Sequence, residues 1–149
     1  MKYIGIDIGD GESAVACLAE DSVIEPVIQP IDGRGSILSV VGMAGTRSEE
    51  HTSELDRKVV HLRSRFKSRY LNTMDAERDI ERFAHGLRTA LLEEADDFFD
   101  GDVYIAVGCP AGWKENDRAR YCEIMKRAGL GDVHIVSESR AAFFYARYA

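Results

Sequence analysis

The sequence predicts an α/β domain: a mixed five-stranded sheet flanked by helices on its faces, with a small helical insertion. Three observations predict it. Short apolar runs separated by turn residues fill the first 43 positions, as in a strand meander. From residue 75 onward, helical and strand patterns alternate, as β-α-β crossovers require. The 149 residues are 45% hydrophobic and 30% charged, which suits one domain with a real core under a solvated surface.

Residues 3–8 form a short Ile-rich buried strand closed by Gly9-Asp10-Gly11, and Asp-Gly is a strong hairpin signal because both residues tolerate positive φ. Residues 13–18 are its partner, and 23–29 a third strand after the acidic turn Glu20-Asp21-Ser22. Glycine and serine at 32–36 lead into a strand at 37–43, and the polar residues 44–54 read as a loop. The stretch 55–70 is basic, with Arg57, Lys58, Arg63, Arg65, Lys67 and Arg69. Ile80, Phe83, Ala84, Leu87, Leu91, Ala95 and Phe98 then recur at three- and four-residue steps, the stripe of one helix, which Asp100-Gly101-Asp102 ends. Residues 103–107, apolar apart from Tyr104, are the expected central strand. A helix over 115–128 closes on Gly129 as a left-handed cap, with Leu130 set against Met125. A strand at 134–136 and a helix over 139–148 complete the order.

The net charge of −7 and pI near 5.1 argue against a nucleic-acid partner. No apolar run of membrane-spanning length occurs, and Asp7 comes too early for a signal peptide. Cys17, Cys109 and Cys122 form no C-x-x-C pair, and the four histidines lack ligand spacing, so neither a disulfide framework nor zinc is expected. A cytoplasmic protein with no nucleic-acid and no membrane partner is the expectation.

The motif that carries chemistry is Gly5-Ile6-Asp7-Ile8-Gly9-Asp10-Gly11-Glu12-Ser13. On the residues alone three readings stay open. A plain Asp-Gly hairpin needs no ligand. Gly9-Asp10-Gly11-Glu12-Ser13-Ala14 also matches the G-x-G-x-x-A fingerprint of dinucleotide-binding domains, with Glu25 as ribose carboxylate, although residues 13–18 alternate like a strand. The third reading is a hairpin whose turn amides face an anion, Gly9 and Gly11 keeping the backbone bare, with Asp7 beneath holding a hydrated cation. A carboxylate buried in a first strand costs heavily without such a task.

Residues 5–13 resemble the first phosphate-binding loop of the actin, sugar-kinase and heat-shock chaperone ATPase superfamily. Further blocks follow in the same order. Leu55-Asp56-Arg57-Lys58 resembles the chaperones' F-D-A-K. Cys109-Pro110-Ala111, with a helix containing Arg118 and ending Arg127-Ala128-Gly129-Leu130, resembles their V-P-A segment and its helix. Ile135-Val136-Ser137-Glu138-Ser139-Arg140-Ala141-Ala142 resembles their I-N-E-P-T-A-A. The combination is most similar to the DnaK-type heat-shock 70 kDa chaperones. It implies a ribonuclease-H-like, actin-like ATPase fold in which residues 1–149 are a single N-terminal lobe, with an insertion subdomain at about 50–100 and the second lobe absent.

The resemblance also implies ATP and Mg²⁺ as cofactors, with Gly9, Asp10, Gly11 and Glu12 on the phosphates. Asp7, Lys58 and Glu138 would be the catalytic residues: Asp7 and Glu138 holding Mg²⁺ through water, Lys58 reaching the γ-phosphate. The other cations of that stretch (Arg63, Arg65, Lys67 and Arg69) are expected to be solvated. Pro110 and Arg118 would couple nucleotide state to a substrate-binding region. The implied partners are the second lobe of a full-length chain, client proteins and co-chaperones.

This sequence departs from the family where Asp10 and Gly11 replace two threonines, Ser139 replaces the proline after the glutamate, and Gly112-Trp113 replaces an aromatic pair. Asp10 is repelled by a polyphosphate unless it turns away, which supports an alternative function: a non-catalytic interaction module that keeps the fold. The second phosphate loop and the adenosine-contacting segment have no counterpart here. ATP hydrolysis is therefore expected of a full-length protein and not of this stretch alone. Trp113 and Phe143-Phe144-Tyr145 are expected in the core or at a lobe interface.

Overall fold

The computed structural model describes residues 1–19, 25–44, 47–49, 59–70 and 74–141. The chain opens with β1 (Lys2–Ile8) and β2 (Glu12–Ala19), an antiparallel hairpin in unbroken register from Lys2↔Ala19 to Ile8↔Ser13. Two short strands, β3 (Val27–Ile28) and β4 (Ile37–Leu38), both pair antiparallel with β2. Then come β5 (Val41–Ala44), β6 (Arg47–Glu49), β7 (Val59–Arg63), α1 (Phe66–Tyr70) and α2 (Met74–Glu94). The chain continues through β8 (Val103–Cys109), α3 (Glu115–Arg127) and β9 (His134–Ser137). Residues 138–141 begin a further helical turn.

The main sheet runs β3-β2-β1-β8-β9, with β4 as a sixth strand beside β2. β8 lies between β1 and β9 and is parallel to both. This is the expected mixed sheet, and it overturns the dinucleotide alternative. Residues 12–19 are a strand returning along β1, so no helix starts behind Gly11, and Glu25 is an exposed loop residue. The insertion differs from expectation too. Within the loop predicted at 44–54, β6 pairs with β5, and β7 pairs with β5 on its other side, so the described part of this region is not purely helical. An edge strand needs backbone pairing more than an apolar pattern, which is why periodicity missed it.

One face of the sheet carries the core. Ile4, Ile6 and Ile8 of β1, Val15 of β2 and Ile105, Val107 and Cys109 of β8 pack against the α2 stripe of Ile80, Phe83, Ala84, Leu87 and Leu91. Tyr121, Ile124 and Met125 of α3 complete that cluster. The last turn of α3 is closed as the sequence requires: Gly129 sits at φ 94°, its N–H donates to Lys126 O, and Leu130 N–H donates to Met125 O. That pair of bonds satisfies two orphan carbonyls of the helix end.

The opposite face bears Tyr3, Gly5, Ala14, Ala16 and Ala106. Among the described residues it is reached by the turn at 138–141, through Ala141. Asp7 lies on this open side, its side chain 68% exposed. The expectation of a buried Asp7 is thereby corrected. Strand alternation turns Ile6 and Ile8 inward and Asp7 outward, so desolvation does not argue for its role. Among the described residues no helix is long and apolar enough to cross a membrane.

Candidate functional site

Three parallel or adjoining chain segments end at the same rim of the sheet: β1 at Ile8, β8 at Cys109 and β9 at Ser137. The rim encloses an open concavity of about 500 Å³ lined by Asp7, Gly9, Asp10, Lys67, Ser68, Pro110, Trp113 and Glu138. Asp7 comes from β1, Gly9 and Asp10 from the hairpin turn, Pro110 and Trp113 from the turn after β8. Glu138 follows β9. Lys67 and Ser68 reach in from α1.

The turn is tight for a physical reason. Gly9 N–H donates to Glu12 O at 3.1 Å, and a Cβ on Gly9 would lie 2.5 Å from that same oxygen. Only glycine fits there. Gly11 has open space around it, and its carbonyl accepts from Ser39 N–H at 2.9 Å. Gly11 and Glu12 are exposed and do not line the concavity. Gly108 is needed on the other wall, since a Cβ there would stand 3.1 Å from Glu138 Cγ. Its bare backbone lets the Glu138 side chain lie across β8.

Lys67 is the centre of the site. Its ammonium donates to Glu138 Oε1 and pairs with Asp7 Oδ1 at 3.6 Å. The lysine side chain is 7% exposed, against 43% for Glu138. The expectation that Lys67 is a solvated cation is therefore overturned. Its helix is pinned on both sides: Phe66 packs on Phe83 with ring centroids 5.5 Å apart, and Tyr70 stacks on Trp113 at 4.7 Å. Arg63 and Arg69 are not merely solvated either. Both meet the buried carboxylate of Asp79, at 3.3 and 3.0 Å. Phe66 and Tyr70 at helical spacing around Lys67 were the sequence signal for a short helix with one buried face. Lys58 lies outside the described residues, as do Phe143, Phe144 and Tyr145.

Asp10 lines the concavity with its carboxylate engaged by α1. Its carboxylate accepts from the Ser68 hydroxyl and from Ser68 N–H, the latter at 3.1 Å. Burial alone would raise the Asp10 carboxyl, but the two Ser68 bonds and the nearby Arg65 and Lys67 together bring it below its ordinary value. Asp10 thus stays charged at the concavity and is held there by α1.

Beneath the concavity lies an aromatic cluster. Trp113 and Tyr121 meet edge-on at 5.0 Å, and Tyr70 and Tyr121 at 5.8 Å. Burial pushes the Tyr70 hydroxyl up to about 12, and it donates to Asp117 O at 3.1 Å. Tyr121 is fully buried, and among the described residues its hydroxyl has no hydrogen-bond partner. Arg118 is half-buried on α3, its Nε also without a partner among the described residues, and it does not line the concavity. Burial pushes the Cys109 thiol up, against the opposing charge of Arg118. Among the described residues no group of three or more His, Cys, Asp or Glu side chains gathers as a metal cluster.

Chemically, the rim offers a turn without side-chain bulk at Gly9 and two carboxylates converging on one buried cation. Comparison with solved structures places the whole chain in a known fold. The structure of MreB5 of Spiroplasma citri bound to AMPPNP matches with a TM-score of 0.59 and 15% identity, over 98% of this chain and 41% of that one. MreB5 of the same organism bound to ADP matches at 0.57 and 14%, over 95% and 39%. A non-polymerising mutant of MamK bound to AMPPNP matches at 0.59 and 18%, over 93% and 41%. The chain spans about two fifths of the length of these proteins. No protein-family model and no curated protein matches the sequence. The fold is that of the actin-like ATPases, mixed α/β with a ribonuclease-H-like sheet.

Proposed function

We propose that this chain forms one wall of a nucleotide-binding cleft and takes ATP with Mg²⁺ against the Asp7–Gly11 turn. The observation that carries this reading is the Lys67 ammonium, buried and held by both Asp7 and Glu138 inside the concavity. Once that ammonium moves onto a phosphate, the two carboxylates are free to attract a hydrated divalent cation, and Mg²⁺ commonly keeps its waters and takes few direct protein ligands. The orphaned Tyr121 hydroxyl fits the same reading, since a buried donor without an acceptor is costly unless something else occupies its surroundings. Similarity of fold to proteins bound to AMPPNP and ADP supports it further.

Each residue then has a task. Gly9 and Gly11 keep the turn free of side-chain bulk beside the phosphates, with Asp10 and Glu12 in the same turn. Asp7 and Glu138 orient the water shell of the cation. Lys67 is a described cation positioned to move onto a terminal phosphate, where a fixed ammonium stabilises developing charge, and Lys58 keeps the catalytic role that the resemblance implies. Bound Mg²⁺ supplies charge neutralisation across the phosphates. Hydrolysis belongs to a longer protein that brings a second wall, and a cytoplasmic location suits such a protein.

The finer reading is the DnaK-type chaperone branch, with Pro110 and Arg118 coupling the site to clients and co-chaperones. It rests on the Cys109-Pro110-Ala111 and Ile135–Ala142 segments. The structural matches speak for the superfamily and not for that branch. The second reading is a non-catalytic interaction module that keeps the fold, and its support is the charge of Asp10 beside the concavity.

The test is calorimetric titration of residues 1–149 with MgATP. Binding weaker than micromolar, abolished by Lys67→Met, is expected, because the base and ribose have no pocket on this wall. Micromolar or tighter binding would mean the site is misplaced, and binding indifferent to Lys67→Met would remove its proposed role.

A further inference from the structure

α2 has a second face that the core leaves out. Its stripe of Ile80, Phe83, Ala84, Leu87 and Leu91 is spent on the core, so Arg78, Glu81, Arg82 and His85 are carried to the opposite side of the helix. There they meet the end of α3 at Arg127, around an open groove of about 420 Å³. Among the described residues its lining holds three guanidinium groups and an imidazole against the one carboxylate of Glu81. That carboxylate accepts from Arg127 Nε at 3.0 Å, and Arg127 also reaches Glu77 at 3.6 Å. Arg82 is fixed in place by donating to Gly42 O at 3.0 Å. Arg78, exposed on the helix, is the foremost charge of the groove. Arg88 continues the row, its stem lying over Gly129, where a Cβ would come within 3.1 Å of it.

We propose that this groove docks an acidic peptide segment of a partner protein, its carboxylates set along the row from Arg78 to Arg88.

Three features support it. The groove is cationic on a chain whose net charge is −7, so its charge is local and suits a local anion. A long nucleic acid would instead meet the repulsion of the acidic surface around it. The row also runs along about 15 Å of helix, too far for one phosphate and right for several spaced charges. Finally, an extended peptide repeats its side chains on one side every ~6.6 Å, close to the ~6 Å rise between positions such as Arg78 and Arg82. A segment with Asp or Glu at alternate positions therefore meets the row in register. The groove shares no lining residue with the concavity at the rim, so the proposal stands apart from the nucleotide reading.

The test is calorimetric titration of the 149-residue chain with a capped octapeptide of alternating Glu and Ser, in moderate salt. Saturable binding is expected, weakened about fivefold by Arg78→Glu. Glu81→Gln removes the competing carboxylate and should strengthen binding about twofold. Lys126→Glu makes the same charge change at an exposed site outside the lining, and should leave the affinity nearly unchanged. No binding at millimolar peptide, or equal losses from Arg78→Glu and Lys126→Glu, overturns the proposal. So does displacement of the peptide by inorganic phosphate or by a thymidine octamer at the same concentration, since the groove would then read negative charge alone. Should Arg78→Glu not fold, the rise expected of Glu81→Gln decides the matter, and its absence overturns the proposal.

Discussion

Lys67 donates to Glu138 across 71 positions of sequence, tying the short helix of the insertion to the turn that follows the last strand of the main sheet. The bond fixes how the two parts of the domain meet. It also makes Lys67→Met the most informative change. Both carboxylates retain water contact, so the loss of stability should be modest, about 1 kcal/mol. The loss of MgATP affinity should be far larger, at least tenfold. Comparing chemical denaturation with calorimetry on the same variant separates the two.

Gly9 and Gly11 should respond differently to the same methyl group. At Gly9 a Cβ meets the Glu12 carbonyl at 2.5 Å, and backbone must move; at Gly11 nothing stands within 4 Å. Gly9→Ala is expected to cost about 2 kcal/mol and to disturb the turn amides. Gly11→Ala should be nearly neutral to folding. Thermal unfolding of the two variants side by side checks this, and equal effects would contradict the turn geometry.

Asp10 makes stability depend on pH. Its folded carboxyl titrates below the ordinary 3.8, so the unfolded chain takes up the proton first as acid is added. The stabilisation is present above the unfolded value and is lost as pH falls through the folded one. Asp10→Asn should flatten this limb below about pH 4 and leave stability at neutral pH slightly lower. Urea midpoints between pH 2 and 7 for both proteins provide the measurement.

Asp79 is a buried carboxylate answered by Arg63 and Arg69. Asp79→Ala leaves two guanidinium groups that can still reach water, so the expected cost is about 2 kcal/mol, below that of a fully enclosed pair. Because Arg69 sits on the Lys67 helix, the same change should also weaken MgATP binding. Full affinity with the predicted instability would show that Lys67 does not depend on this anchor.

Much of the fold was legible in the sequence. The α2 stripe from Ile80 to Leu91, the Gly129-Leu130 closure of α3 and the Asp-Gly hairpin are local patterns, each set by contacts between near neighbours. Asp7, Gly9, Asp10, Pro110 and Glu138 were singled out in advance and all line one concavity. Gly11, Glu12 and Arg118 do not line it. The strands β6 and β7 were missed because backbone pairing at an edge asks little of side chains.

By itself the sequence determined the order of the main-sheet hairpin, α2, β8, α3 and β9, the tight turn at Gly9 and the carboxylates available at the strand ends. Only the tertiary structure decided which cation serves them. Composition treats Arg63, Arg65, Lys67 and Arg69 as equivalent charges in one basic stretch. Folding makes them different, because Phe66 and Tyr70 bury one face of a five-residue helix against Phe83 and Trp113 and so aim Lys67 at Asp7 and Glu138. A contact between residues 67 and 138 depends on how the sheet, α1 and α3 pack together, and no local pattern along the chain encodes that packing.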